Sequence, residues 1–195
     1  MDWEDLYQQG DTGWDRGVIS PALQHWLDHG ELKAGQRILI PGCGRGYEVI
    51  ALAKRGFDVT ALDLAPSAID AVRKGLQEAG LKATLVCSDL FDYQANQCFD
   101  AIYEQTCLCA LPMARRKDYE KCLFSWLKPD GILYFSMMQT GESGGPPFHC
   151  DWSDMRILFS EKCWQWQQKP PFFIARPKGQ RFELGFMLSC QKSES

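Results

Sequence analysis

Five short apolar runs alternate with helical stretches along this chain, and that alternation restricts the fold more than any other feature. "RILIP" (37 to 41), "FDVTALD" (57 to 63), "ATLVCSD" (83 to 89), "FDAIYEQ" (99 to 105) and "GILYFSMMQ" (131 to 139) are β-branched or aromatic and flanked by turn residues. Each reads as a strand. Between them, "YEVIALAKRG" ends at Gly56 after basic residues, and "PSAIDAVRKGLQEAG" opens on a first-turn proline and closes at Gly80. "RRKDYEKCLFSWLKPDG" reads as a third helix, stopped by Pro129 and Gly131. Nearly all-apolar strands in regular β-α alternation build a mostly parallel sheet covered on both faces.

Ahead of the first strand, "SPALQHWLDHG" is a compact helix with Ser20 as cap, Pro21 in the first turn and Gly30 as stop. The segment before it is thus expected to be ordered. After the fifth strand come a Gly/Pro loop, "TGESGGPPFHC", a helix, "DWSDMRILFSEK", a strand, "CWQWQQ", a second loop, "KPPFFIARPKG", and a last strand, "QRFELGFMLSC". At 195 residues and 45% hydrophobic, the chain holds one substantial core. A single domain, 1–195, is expected, with residues 1–30 as an N-terminal lid and helix and 36–195 as a Rossmann-like core.

Composition removes several function classes. Twenty-one basic residues against 25 acidic ones, a net charge of -4, lack the basic footprint that neutralising a nucleic-acid backbone requires. No run approaches the length of a membrane span, and the start "MDWEDLYQQG" is acidic where a secretory signal is basic and then apolar. The expectation is a cytoplasmic protein with neither nucleic acid nor membrane as partner. The nine cysteines form no CxxC pair, so they read as small buried hydrophobes in a reducing compartment. His25 and His29 sit four apart, a spacing that can bind metal, but no glutamate accompanies them and His149 is the one other histidine. No metal is expected.

The chemistry starts in "IPGCGRGYEV", residues 40 to 49. A Walker phosphate loop needs Lys and then Ser or Thr after its last glycine, and here Tyr47 follows Gly46. The dinucleotide fingerprint is spaced GxGxxG, whereas Gly42, Gly44 and Gly46 are spaced GxGxG. That is the wrong spacing for a pyrophosphate. Yet the strand, turn, helix context is right, and the next strand ends in Asp63, placed to hold ribose hydroxyls. A nucleoside without a diphosphate fits both facts, and S-adenosylmethionine is the commonest such cofactor. The glycines let backbone approach its methionyl part, Asp89 in "SDLFD" is placed to accept from the adenine amino group, and Leu90 to pack on the ring. A glycine turn that merely closes a strand onto a helix is the bland alternative. "GGPPF" (144 to 148) is similar to the Asp/Asn-Pro-Pro-aromatic motif of amine methyltransferases, but that motif follows the fourth strand and this one the fifth. Its position argues against amine chemistry.

With these residues in hand, the sequence resembles the thiopurine S-methyltransferase superfamily, and within it the branch of small-thiol and halide or thiocyanate methyltransferases. The likeness runs almost end to end, through "WEDLYQQGDTGWDRG", "IPGCGRGYEV", "LDLAPSAI", "IYEQTCLCALPMARR" and "GGPPF". It implies a class I methyltransferase fold: an α/β, Rossmann-like sheet of seven strands, mostly parallel with an antiparallel last strand. It places Trp3, Tyr7 and Trp14 beside the cofactor, Gly42 at the loop, Asp63 and Leu64 at the ribose, Asp89 and Leu90 at the adenine, and Gln105 near the methionyl group. A sulfonium is a cation, and aromatic faces such as Tyr7 and Trp14 attract cations by ~0.5 to 2 kcal/mol. Packing as ordinary core is the other reading of these aromatics. The chain departs from the plant-like enzymes, which tend to have Thr-Pro-Trp-Asp at Thr12-Gly13-Trp14-Asp15 and Asp-Tyr at Glu104-Gln105, and from the thiopurine enzymes, which carry Arg at Gln105. Those departures leave the acceptor open.

Methyl transfer to a thiolate needs alignment and exclusion of water more than a strong base, because thiols ionise near neutrality. No catalytic residue is assigned. Trp14, Tyr103, Cys107, Phe148, Trp152 and Arg156 are the expected pocket walls, with Arg156 either offsetting an anionic substrate or pairing on the surface. The implied activity is transfer of a methyl group to sulfur, or another soft nucleophile, of a small molecule, by a monomer. Its rivals are O- or N-methylation, detoxification of selenite or tellurite, and non-catalytic cofactor binding with a regulatory duty.

Overall fold

A computed structural model describes residues 2–176 and 181–192. It divides into two compact units, Met1–Gln94 and Ala95–Ser195.

The first unit runs α1 (Trp3–Gln9), α2 (Pro21–Asp28), β1 (Arg37–Pro41), α3 (Tyr47–Lys54), β2 (Asp58–Asp63), α4 (Pro66–Ala79) and β3 (Thr84–Cys87). Its strands are all parallel, in the order β3-β2-β1. Pairing of Pro41 with Leu62 and of Asp63 with Cys87 aligns the carboxyl ends of all three strands. The loops after them therefore share one edge, where ligands of open α/β sheets bind. Ile38, Leu39, Leu62, Val49, Leu52 and Val72 are fully buried, packing α3 and α4 on the sheet at roughly 1.5–3 kcal/mol for each such side chain. Ser20 caps α2 through its hydroxyl, which accepts from the Ala22 N–H at 3.2 Å, and Gly80 closes α4 at φ +66°. Both ends are as the sequence places them.

The second unit runs β4 (Phe99–Gln105), α5 (Arg116–Trp126), β5 (Leu127–Gln139), α6 (Trp152–Leu158), β6 (Trp164–Trp166), β7 (Phe172–Ala175) and β8 (Phe182–Cys190), with single 3-10 turns at Leu108–Ala110 and Met113–Arg115. β4 and β5 are parallel, and β8 runs antiparallel to β5, β6 and β7. The expected mostly parallel sheet with an antiparallel last strand is what forms.

Two expectations are corrected. Among the described residues there are eight strands, not seven, because "KPPFFIARPKG" is not wholly loop: Phe172–Ala175 pairs with β8, with Phe172 opposite Gly185. A Cβ on Gly185 would lie 2.5 Å from the Phe172 ring, so that ring covers the glycine, a contact no local pattern shows. Pro177 to Gly179 of that loop, and Gln180, which opens the expected last strand, lie outside the described residues. Nor do Pro129 and Gly131 stop α5. The helix ends at Trp126, and the chain passes directly into β5 through an irregularity that pairs Leu127 with Phe99 and Ile132 with Ala101. Asp130 takes φ +59° there, the left-handed conformation that Asp tolerates better than most residues. Among the described residues no helix is long and apolar enough to cross a membrane.

Candidate functional site

In the first unit the loop from Gly42 to Gly46 joins β1 to α3 with the chain folded back on itself. The Cys43 N–H donates to the Leu62 carbonyl at 3.1 Å and the Gly46 N–H to the Cys43 carbonyl at 3.1 Å. Gly46 has φ +77°, and a Cβ there would sit 2.5 Å from Val72 of α4, so only glycine lets α3 and α4 close together. Gly44 has φ +55° and would bring a Cβ to 3.3 Å from the Tyr7 hydroxyl. The loop is thus shaped from both sides.

Asp63 fastens it. One carboxylate oxygen accepts from the Gly44 N–H at 2.9 Å and the other from the Ala65 N–H at 3.0 Å. The four lone pairs of the carboxylate exceed the three backbone N–H groups around it, so it keeps acceptor capacity for a ribose hydroxyl. Burial raises the Asp63 carboxyl above its ordinary value, and N–H bonds from Ala65, Gly44 and Leu64 draw it back. Leu64, next in the chain, is half exposed. With Asp2, Trp3 and Glu4 it lines an open groove of about 530 Å³. Asp89, after β3, accepts from the Phe91 N–H at 2.8 Å through Oδ1, and Leu90 next to it is half-buried.

Over the loop lie the aromatics. Trp14 meets Trp3 edge to face at 5.2 Å between ring centres and Tyr7 at 5.6 Å. The Tyr7 hydroxyl is pushed up by burial and by the nearby Asp63 charge, so it stays protonated and can donate. Arg45, in the glycine loop, pairs with Asp15 at 2.9 Å and holds its guanidinium 5.9 Å from the Tyr7 ring. The structure therefore brings Trp3, Tyr7, Trp14, Gly44 and Asp63 together, with Gly42 in the same loop and Leu64 in the adjoining groove.

In the second unit β4 ends at Gln105, whose side-chain oxygen accepts from the Tyr103 hydroxyl at 2.7 Å. Tyr103 itself is fully buried in the core. Thr106 follows at φ +56°, which for a β-branched residue stores about 1–3 kcal/mol of strain. Two bonds hold it there: its N–H donates to the Ser136 carbonyl at 3.0 Å, and Glu104 accepts from the Leu108 N–H at 2.7 Å. Cys107 is half-buried in that turn, and the Phe148 N–H donates to the Cys109 carbonyl at 2.7 Å. Trp152 and Arg156 belong to a different cluster on α6. Trp152 packs edge to face on Trp166 and Phe186, while Arg156 pairs with Glu161 and lies 4.5 Å over the Trp166 ring. Of the two readings of Arg156, the geometry is that of a surface pair.

His29 Nδ1 lies 2.7 Å from the His25 carbonyl, with the two rings 4.1 Å apart. Among the described residues no cluster of three metal-ligating side chains forms. All nine cysteines are free thiols.

Sequence reasoning missed Glu4, Asp15, Arg45, Glu104 and Arg116. Only Glu4 left a trace: α4 starts after Ala65, a residue with no side-chain acceptor, so its first turn must find a cap elsewhere.

The thiopurine S-methyltransferase family profile matches residues 1–171. Thiocyanate methyltransferase 1 of Brassica oleracea is 32% identical over 183 residues, covering 91% of this chain and 80% of that protein. Thiopurine S-methyltransferase of Xanthomonas campestris is 29% identical, covering 85% and 84%. Among solved structures, 1,6-didemethyltoxoflavin-N1-methyltransferase of Burkholderia thailandensis superposes with a TM-score of 0.77 at 19% identity, covering 96% of this chain and 85% of that one. At that identity the superposition speaks for the fold alone, which is that of the class I methyltransferases.

Proposed function

The chain belongs to the thiopurine S-methyltransferase family, and on that premise we propose that it transfers the methyl group of S-adenosylmethionine to the sulfur, or another soft nucleophile, of a small thiol, thiopurine or thiocyanate. The observation that carries the reading is the Asp63 carboxylate, which clasps Gly44 of the loop, close to the Tyr7 hydroxyl, and keeps acceptor capacity for a ribose hydroxyl.

The residues present suit that cofactor. Gly42 and Gly44 leave the backbone open to its methionyl part, Asp63 takes the ribose hydroxyls, Leu64 and Trp3 border the adenosine groove, and Asp89 and Leu90 take the adenine. Gln105, fixed by Tyr103, is assigned to the methionyl end. Bound there, the cofactor would supply an electrophilic methyl group to the acceptor sulfur. Tyr7 and Trp14 present aromatic faces that favour a cation and exclude water. The acceptor's proton goes to solvent, since thiols ionise near neutrality, so the chain need only align the sulfur. Cys107 and Phe148 are proposed as acceptor walls.

The same proposal includes a single working domain, a cytoplasmic site of action and a monomer. The family match across both compact units supports the first, and nine free thiols support a reducing compartment.

A methyl-acceptor screen tests the reading. The chain, S-adenosylmethionine and a panel of thiopurines, aromatic thiols, hydrogen sulfide, thiocyanate, iodide and selenite should release S-adenosylhomocysteine with a sulfur nucleophile. Release with selenite alone would move the reading to oxyanion detoxification. Binding without turnover on any acceptor would replace it with a regulatory one.

A further inference from the structure

α1 has seven residues and buries none of them, too short to hold a helical form by itself. Asp2 caps its start, accepting from the Glu4 N–H at 3.0 Å. Its tie to α4 is polar. Glu4 reaches α4, where one carboxylate oxygen accepts from the Ser67 N–H at 2.9 Å and the other from the Ser67 hydroxyl at 2.6 Å. Gln8, one turn further along α1, donates to the same carboxylate at 2.8 Å and sets its orientation. This is the cap that Ala65 does not provide to α4, and it brings a negative charge to the positive end of that helix. Two helices 63 residues apart are thus joined through one side chain.

The join lies against the proposed cofactor groove. Trp3 immediately precedes Glu4, and Leu64 stands three residues before Ser67. Between them is the open groove, and next to Leu64 is Asp63, the loop fastener. We propose that Glu4 is a positioning residue for the cofactor: by capping α4 at Ser67 it holds Trp3 and Tyr7 over the adenosine groove and the glycine loop. The inference rests on the reading of that groove as the S-adenosylmethionine site. Bonds from Ser67 keep the Glu4 carboxyl below its ordinary value, so the cap stays ionised throughout the neutral range. Asp15 and Arg45 make a second tie from the same N-terminal segment to the glycine loop, so loss of Glu4 loosens α1 without releasing the segment.

Calorimetric titration with S-adenosylmethionine and with S-adenosylhomocysteine tests the role, on the wild type, Glu4→Ala, Glu4→Gln, Ser67→Ala and the Glu4→Ala/Ser67→Ala double variant. Glu4→Ala should weaken both ligands by about tenfold, comparable to losing one charge-assisted hydrogen bond. Ser67→Ala, which keeps the backbone N–H, should weaken them by about threefold. The double variant should bind as Glu4→Ala does, because the two residues act through one contact. Glu4→Gln should stay within about threefold of wild type, since the amide oxygen still accepts from the Ser67 N–H while the hydroxyl turns to accept from the amide nitrogen. Hydrogen exchange without ligand should quicken at α1 amides in Glu4→Ala and not in Glu4→Gln.

Unchanged affinity in Glu4→Ala overturns the role while leaving the cofactor reading intact, as do fully additive effects in the double variant. A wild type that binds neither ligand overturns both. If Glu4→Ala does not fold, Ser67→Ala against Glu4→Gln carries the same contrast.

Discussion

Replacing Glu104 by glutamine should change how the stability of this protein depends on pH. Glu104 is fully buried at the end of β4, and burial pushes its carboxyl from 4.5 up to about 8. The N–H groups of Leu108 and Cys107 and the charge of Arg116 pull it down, and the Glu183 charge raises it. Cys109, Cys150 and Tyr119 face the same carboxyl and are themselves held protonated by burial. Among the described residues no cation forms an ion pair with it: both terminal nitrogens of Arg116 donate to the His149 carbonyl at 3.2 Å, and Glu183 is paired with Arg176 at 2.7 Å. Oε2 of Glu104 is buried with no hydrogen bond. The acid is therefore neutral at pH 7 in the folded state and ionised in the unfolded one.

The folded state then binds one more proton than the unfolded state between about pH 4.5 and about 8, so stability falls as pH rises through that window and is flat beyond it. A carboxyl raised from 4.5 to about 8 at about 1.4 kcal/mol per pH unit gives a loss on the order of 5 kcal/mol. Thermal melts of wild type and Glu104→Gln from pH 5 to 8.5 measure it, and the difference between the curves removes every other titrating group. The two proteins should melt close together at pH 5. By pH 8.5 the variant should melt roughly 10 to 20 °C higher, at about 2–4 °C per kcal/mol for a chain of this size. Parallel curves across the window would refute a buried neutral acid at this position.

Asp63→Ala should weaken S-adenosylmethionine by roughly 2 to 3 kcal/mol in calorimetry, because it removes the acceptor for the ribose and releases Gly44 from the loop; unchanged affinity would reassign the acid to loop structure alone. Gly44→Ala places a Cβ against the Tyr7 hydroxyl at φ +55° and should cost about 1–2 kcal/mol of stability together with cofactor affinity, read by melting and titration on the same sample. Removing residues 1 to 14 should cut methyl transfer by orders of magnitude with little change in melting temperature, since no strand is touched and α1 buries nothing. In the intact chain exchange of these amides should slow markedly when cofactor binds, and equal protection in both states would make the segment a fixed wall. Activity should survive a strong chelator; loss with rescue by one divalent ion would return attention to His25, His29 and His149.

Some of this protein was legible in the chain because the signal was local. β1 through β4 are apolar runs of the right length, α2 carries its own Ser20 cap and first-turn proline, and α4 ends on Gly80, so each announces itself within a few residues. The GxGxG loop and the acid at the end of β2 were legible for the same reason, since parallel register carries their spacing into three dimensions. What the chain could not display were partners chosen through space. β7 exists because Phe172 finds a glycine on β8, and α5 gives way early because its neighbour strand demands Leu127. Arg156 was balanced between two roles until Glu161 and Trp166 were seen beside it. Glu104 reads in sequence as an ordinary strand-end acid; only its burial without a counter-ion makes it a neutral one. Glu4 reads as surface charge, and only the fold sets it against the uncapped first turn of α4. Backbone periodicity is written residue by residue, whereas a side chain's protonation state and partner depend on the dielectric and geometry that packing creates.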